Sequence, residues 1–311
     1  MRAFIFPGQG SQAVGMGKAL NDASPIARAV FQEVDDALGQ HLSTLMFEGP
    51  AEELTLTANA QPAIMANAIA TLRVLEQAGD VRLADKADYV AGHSLGEYTA
   101  LCAAGAFDLA TTALLLRRRG EAMQAAVPVG QGAMAALLGC DLATAQKIAD
   151  AAAQGEVCTV ANDNDPSQVV ISGAKAAIDR AIEIAKDHGA KRAIALPVSA
   201  PFHCPMMQPA ADVMSSALGE VKIDTPLVPV FANVTAQPVS DPDTIRRLLV
   251  EQVTGMVRWR ESVLNMADAG VTHFVEFGGK VLAPMVKRIA PDVDAVSVIS
   301  MDDIEALAKS F

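Results

Sequence analysis

The chain has 311 residues, with 36 acidic against 24 basic side chains (formal net charge -12), 51% apolar content and 4% aromatics. That length suits one large α/β domain or two domains with a substantial core, and the composition excludes collagen-like, disulfide-scaffold and disordered chains. The acidic balance repels phosphate backbones, so nucleic acid is not an expected partner, and small molecules or proteins are. No apolar run approaches the roughly 18–20 residues that a membrane-spanning helix needs. The first residues pass straight into Pro7-Gly8 without a signal-peptide pattern, so a cytoplasmic protein with no membrane association is expected. Cys102, Cys140, Cys158 and Cys204 form no C-x-x-C pair and have no metal-type histidine spacing, which predicts free buried thiols and no metal. Cys204 adjoins His203, but neighbours in sequence are seldom partners in space.

Residues 3–6 are an apolar run ending at Pro7-Gly8-Gln9-Gly10, which predicts a strand, a glycine turn and then a helix. Ser24-Pro25 supplies an N-cap and a first-position proline for a helix that stops at Gly39. Pro62 is expected to open a long apolar helix ending at Gly79. Tyr89-Val90-Ala91 reads as a short buried strand, followed by Gly92-His93-Ser94-Leu95-Gly96 and a small-residue helix up to Gly105; another helix spans about 110–125. Strands alternating with helices predict a parallel, helix-covered sheet.

Between Pro128 and Pro197 the pattern changes to strand 133–138, helix 142–153, strand 157–161, strand 169–172, helix 174–187 and strand 192–196. That β-α-β-β-α-β order is ferredoxin-like. It predicts a small domain, residues 128–197, inserted into a discontinuous large domain made of 1–127 and 198–311. Afterwards α/β alternation resumes, with strands near 228–231, 273–277 and 295–299.

Gly92-His93-Ser94-Leu95-Gly96 matches G-x-S-x-G between a strand and a helix, the context of a nucleophile elbow. A serine on so sharp a turn needs neighbours without side chains. The amide of Leu95, at the start of the following helix, is then placed to stabilise an oxyanion. The bland alternative is that the glycines only permit close packing and Ser94 is an N-cap. Of the five histidines, His93 should leave the turn in another direction, His188 lies at a helix end, His41 in a polar connection and His273 at a strand start. His203 sits in the proline-rich loop Pro197-Val198-Ser199-Ala200-Pro201-Phe202-His203-Cys204-Pro205, where the chain re-enters the large domain, and is the candidate base. No acid is an obvious third member, which leaves a backbone carbonyl or an amide to orient the imidazole. Of Arg117-Arg118-Arg119 only one can face a cleft, as an ordinary solvated residue or as a carboxylate clamp. The Phe6-to-Gln12 turn lacks a phosphate-loop lysine, so nucleotide binding is not expected, while the Gln9 amide could donate to an oxyanion if the turn lies beside the elbow.

Taken together, Phe6-Pro7-Gly8-Gln9-Gly10-Ser11-Gln12, Gln61-Pro62, Gly92-His93-Ser94-Leu95-Gly96-Glu97-Tyr98, Arg119-Gly120, Pro201-Phe202-His203, Asn233 and Gln252 make the chain resemble the malonyl-CoA:acyl carrier protein transacylases of type II fatty acid synthesis over its whole length. The resemblance implies an α/β-hydrolase-like large domain with a ferredoxin-like insert. It implies Ser94 as the acylated nucleophile, His203 as its base, and Gln9 with the Leu95 amide as the oxyanion hole. It makes Arg119 the malonyl-carboxylate clamp, with Gln61, Phe202 and Gln252 as further substrate-side residues; Gln252 supports the histidine and Phe202 disfavours an α-methyl branch. The implied reaction is ping-pong transfer from malonyl-CoA to the phosphopantetheine thiol of an acyl carrier protein, without metal or redox cofactor. A carrier protein and a coenzyme A thioester are therefore the implied partners, and the chain is large enough to work as a monomer. Lys191, Arg192, Lys280, Lys287 and Arg288 are candidates for docking an acidic carrier. Competing readings are a serine thioesterase, a carrier-binding module with a dead site, and an acyltransferase of polyketide or malonate decarboxylase systems. Gly278-Gly279-Lys280 departs from the usual Gly-Pro-Gly-Lys, which predicts a looser turn there.

Overall fold

The structure is a computed structural model that describes residues 1–198 and 200–311. Its strands are β1 (Arg2–Phe6), β2 (Tyr89–Gly92), β3 (Gly132–Leu138), β4 (Cys158–Asp165), β5 (Gln168–Ala174), β6 (Arg192–Ala195), β7 (Val230–Ala232), β8 (Gln237–Val239), β9 (His273–Phe277) and β10 (Asp294–Val298). Six of them form one sheet in the order β10-β9-β1-β2-β7-β8. All its pairs are parallel except β7 with β8, an antiparallel edge that the sequence reading did not anticipate. Pro238 fits there because an edge strand can dispense with one N–H. Helices cover both faces, so β1 is apolar throughout its centre, with Phe4, Ile5 and Phe6 all buried. Because β1 and β2 are adjacent and in register, Phe6 opposite Gly92, the turns that leave their carboxyl ends share one crevice.

Local sequence chemistry explains several helix limits. Ser24 accepts from the amides of Ile26 (3.3 Å) and Ala27 (3.5 Å), Pro25 takes the first helical position, and Gly39 closes the helix Pro25–Leu38 at φ 60°. The long apolar helix is Thr57–Ala78, so Pro62 lies inside it rather than opening it. In the second turn a proline forfeits a single ladder bond, here to the Ala58 carbonyl, and burial of the surrounding face compensates.

The other four strands form an antiparallel sheet in the order β4-β5-β3-β6. The helices Leu142–Ala153 and Lys175–Ile184 pack on it around a separate core that includes Leu137, Ile148, Ile171 and Ile178. β4 continues past the apolar segment through Asn162-Asp163-Asn164-Asp165, bulged on the way, and this polar tail faces the rest of the chain. Arg260 grips buried Asp163 through both carboxylate oxygens (3.0 Å), Arg288 grips buried Asp165 (2.9 Å), and the Val257 amide donates to Ala161 (2.8 Å). Among the described residues no helix is long and apolar enough to cross a membrane.

Candidate active site

The turn after β2 is built for close approach. Ser94 has φ 55° and ψ -111°, a conformation that side-chain-bearing residues rarely adopt. A Cβ on Gly92 would lie 1.9 Å from the Gly96 backbone, and one on Gly96 would lie 2.2 Å from the Phe6 carbonyl oxygen. Both glycines are therefore obligatory, and they let the elbow sit directly on the end of β1. Asn233 clamps the turn from beneath: its Oδ1 accepts from the Ser94 amide (2.8 Å) and its Nδ2 donates to the Gly92 carbonyl (2.7 Å).

Ser94 Oγ is 2.7 Å from Nε2 of His203. The other ring nitrogen, Nδ1, is 2.9 Å from the main-chain oxygen of Gln252. Gln252 lies in the last turn of the helix Pro242–Thr254, where carbonyls have no amide of their own helix to accept from. A carbonyl only accepts, so Nδ1 carries the hydrogen and Nε2 presents a lone pair to the hydroxyl. Burial, reinforced by the positive charge of Arg119, lowers the His203 pKa to about 3, against the upward pull of the Gln252 carbonyl. The imidazole is thus neutral at ordinary pH.

Arg119 comes from the helix Leu109–Ala125 and is 1% exposed. Gly120 makes its placement possible, because a Cβ there would strike Ala58 at 2.6 Å; without one, the helix lies against the start of Thr57–Ala78. The guanidinium donates to Gln61 Oε1 (2.8 Å), Gln252 Oε1 (2.9 Å) and Ser94 Oγ (3.1 Å), and lies over the Tyr98 ring. All three oxygens are neutral, and among the described residues its Nε has no partner. Burial lowers its pKa from the usual arginine value. Leaving a buried guanidinium without a carboxylate is costly in isolation, and it is the chemistry expected of a receptor for an anion. Arg117 instead bonds Asn59 (2.7 Å) and Gln40 (2.5 Å), and Arg118 pairs at the surface with Glu220 (3.3 Å).

Gln9, Gln61, Ser94, Leu95, Arg119, Phe202 and His203 all line one cavity of about 290 Å³, walled further by Met123, Met134, Leu196, Val198 and Asn162. Gln252 is fully buried behind that wall. Its Nε2 donates to the Ser94 carbonyl (3.0 Å) and to Glu97 (2.7 Å), so one residue braces the elbow, the arginine and the imidazole together. Leu95 begins the helix, so its amide has no intrahelical acceptor. His93 lines the cavity but bonds Asn164 (2.8 Å), while His188 and His273 are bonded elsewhere. The Cys204 thiol donates to the Pro201 carbonyl (3.2 Å), and burial raises its pKa, leaving no activated thiol beside His203. Ser199, in the same loop, lies outside the described residues. Among the described residues no cluster of three or more His, Cys, Asp or Glu suited to a metal occurs.

Two features differ from the sequence reading, which gave Glu97 no role and expected a loose Gly278-Gly279 turn. Glu97, 2% exposed, accepts from the Asn233 amide (3.1 Å) and from Gln252, and burial pushes its pKa up to about 7. Its signal was available, since it stands three residues after Ser94, in the first turn of the helix that follows the elbow. The Gly278-Gly279 turn is also firmer than expected. Asn67 Nδ2 holds the Gly278 carbonyl (2.9 Å), and buried Glu276 accepts the amides of Val281 (2.9 Å), Leu282 (3.0 Å) and Ala283 (2.8 Å). Gly279 leaves room for Pro7 only because a Cβ would lie 2.8 Å from that ring.

The acyl transferase domain family matches residues 3–285. The chain belongs to the acyl transferase family. Among its relatives, the malonyl CoA-acyl carrier protein transacylase of Bacillus subtilis (strain 168) is 45% identical over 305 residues, 97% of this chain and 95% of that one. The crystal structure of an acyl-carrier-protein-S-malonyltransferase from Bartonella henselae has a TM-score of 0.97 and 53% identity, covering 99% of this chain and 98% of the other. A malonyl-transacylase in complex with a type II PKS acyl-carrier protein has a TM-score of 0.96 at 38% identity, covering 100% of this chain and 99% of its own. The elbow serine, the buried arginine and the loop histidine of this acyl transferase all fall within the matched segment.

Proposed function

We propose that the protein transfers a malonyl group from malonyl-CoA to the phosphopantetheine thiol of an acyl carrier protein by a ping-pong route through malonyl-Ser94, supplying the malonyl carrier for fatty acid synthesis. The observation that carries this reading is Arg119, a buried guanidinium with only neutral partners, 3.1 Å from a serine oxygen that is itself 2.7 Å from a neutral imidazole. A three-carbon diacid thioester fits that arrangement, with its free carboxylate on Arg119 and its thioester carbon at Ser94. In the first half-reaction Nε2 of His203 takes the Oγ proton as Oγ bonds to the thioester carbon. The developing oxyanion is received by the Leu95 amide and Gln9. Its collapse breaks the carbon–sulfur bond, and the imidazolium returns the proton to the departing coenzyme A thiolate. In the second half His203 deprotonates the carrier thiol, which attacks the malonyl ester, and the proton goes back to Ser94. Each half exchanges one acyl bond for another with no change in oxidation state, so metal and redox cofactors have no step to serve.

Pairing of Arg119 with the substrate carboxylate also removes part of the positive field on His203, making the base stronger when the right acyl group is present. Phe202 at the cavity wall disfavours an α-methyl branch, and Gln61 and Gln252 fix the clamp. We assign 128–197 as a ferredoxin-like small domain inside an α/β-hydrolase-like large domain; the β4-β5-β3-β6 order and the separate core of the antiparallel sheet support this division. Carrier docking falls to exposed Lys191, Arg192 and Lys280, because Arg288 is bound to Asp165 and Lys287 to the carbonyls of Pro291 and Val293. One chain supplies every group in the reaction, which supports a monomer. Intact-mass measurement after mixing with malonyl-CoA tests the reading: a malonyl adduct forms on the wild type and is absent from Ser94→Ala. Free malonate without an adduct would instead make the protein a thioesterase.

A further inference from the structure

Arg119 heads a hydrogen-bond chain whose direction is set at its head by the guanidinium. A guanidinium only donates, so Gln61 must present Oε1 to it (2.8 Å). Gln61 Nε2 is thereby turned toward Thr57 Oγ1 (2.9 Å), and the Thr57 hydroxyl proton is sent to Gln9 Oε1 (3.0 Å). The Gln61 amide cannot flip without setting donor against donor at Arg119, and with the Thr57 proton on Gln9 Oε1 the Gln9 Nε2 group faces away from Thr57. Thr57 is 3% exposed, is absent from the cavity wall, and is wedged through its carbonyl against Gly120, the residue next to Arg119. Gln9 itself is exposed, on a loop whose other bonds, Ser11 Oγ to Gly8 (2.8 Å) and the Gly10 amide to Gln12 (2.7 Å), stay within the loop. The Thr57 hydroxyl therefore ties that loop to the body of the protein.

We propose that Thr57 is a positioning residue that couples the carboxylate clamp Arg119 to the oxyanion residue Gln9, so that recognition of the acyl carboxylate is expressed in the rate of the chemical step. This rests on the malonyl-transfer reading. A clamp filled by a carboxylate holds Arg119, Gln61, Thr57 and Gln9 in one register; an acetyl group leaves the head of the chain unfilled. Binding spent in this way appears in kcat rather than KM.

The test compares Thr57→Val, which keeps the shape and deletes the hydroxyl, with Thr57→Ser, which keeps the hydroxyl. Transfer to the carrier is followed with malonyl-CoA and with acetyl-CoA. In Thr57→Val, kcat with malonyl-CoA is expected to fall about tenfold while KM stays within about threefold, a partial loss of an oxyanion donor. The malonyl-to-acetyl kcat ratio narrows, and Thr57→Ser returns to within about twofold of the wild type on both measures. The proposal is overturned if Thr57→Val keeps wild-type kcat, if the loss lies in KM alone, or if Thr57→Ser is as impaired as Thr57→Val. A wild type that is never acylated by malonyl-CoA sinks the transfer reading instead, whereas an acylated wild type matched by Thr57→Val sinks only the coupling.

Discussion

Replacing Arg119 by alanine tests the proposed carboxylate clamp through the ratio of two substrates. The substitution removes a buried cation, 1% exposed, that would face a carboxylate at the cavity wall. Truncating one partner of a buried, hydrogen-bonded charge pair costs about 2–5 kcal/mol, much of it from stranding the other charge. The same change orphans Gln61 Oε1 and Gln252 Oε1, but that damage falls equally on malonyl and acetyl substrates and cancels in their ratio. Loss of the positive field also relaxes the depression of the His203 pKa, more for the acetyl substrate, because the malonyl carboxylate already offsets part of that field in the wild type. The specificity ratio, kcat/KM for malonyl-CoA over kcat/KM for acetyl-CoA, should therefore fall by about 3 kcal/mol, roughly 150-fold. Steady-state transfer to one carrier protein, measured with both thioesters, reads this directly. A fall by the same factor for both thioesters would refute the clamp.

Protonation provides two further tests. Because burial and Arg119 hold His203 near 3, nitrogen NMR of the imidazoles should show it neutral and protonated on Nδ1 from pH 8 down to about 5, and a midpoint near the ordinary 6.5 would contradict the geometry. Its depressed pKa also means that the unfolded chain binds a proton the native state refuses, so this contribution to stability is present above about 6.5 and is lost as pH falls toward 3. Glu97 has the opposite sign. Its pKa rises from 4.5 to about 7 on folding, so it favours the native state at low pH and that contribution is lost as pH climbs through about 7, by about 3 kcal/mol at most. Urea denaturation of Glu97→Gln should show that this loss between pH 5 and pH 8 has disappeared, and an unchanged pH slope would place Glu97 in a charged state throughout.

The elbow was legible because steric demand writes itself into sequence: Gly92 and Gly96 sit where a Cβ would collide with backbone, and no other residue can occupy them. Ser24-Pro25 and Gly39 announced a helix for the same reason. Pro62 misled because a proline marks a helix start only in the first turn, whereas here the turn Thr57–Gln61 precedes it and is held by burial. The run Asn162-Asp163-Asn164-Asp165 read as loop because its polarity hides strand character; its partners, Arg260, Arg288, His93 and the Val257 backbone, come from distant segments. Glu97 and Thr57 escaped for a related reason. Each matters through a hydrogen bond to a residue far along the chain, Gln252 in one case and Gln9 in the other, and local pattern cannot reveal that.

The acceptor that aligns His203 belongs to the polypeptide itself, at position 252. No codon change at that position can delete it. Whatever side chain evolution or an experimenter places there, the imidazole keeps its alignment for as long as the last turn of Pro242–Thr254 keeps its path. Genetic vulnerability of the proposed base is thereby moved from one residue to the packing of a whole segment. Substitutions that shift that segment, far from the reacting atoms, should silence the enzyme more readily than many changes made beside them.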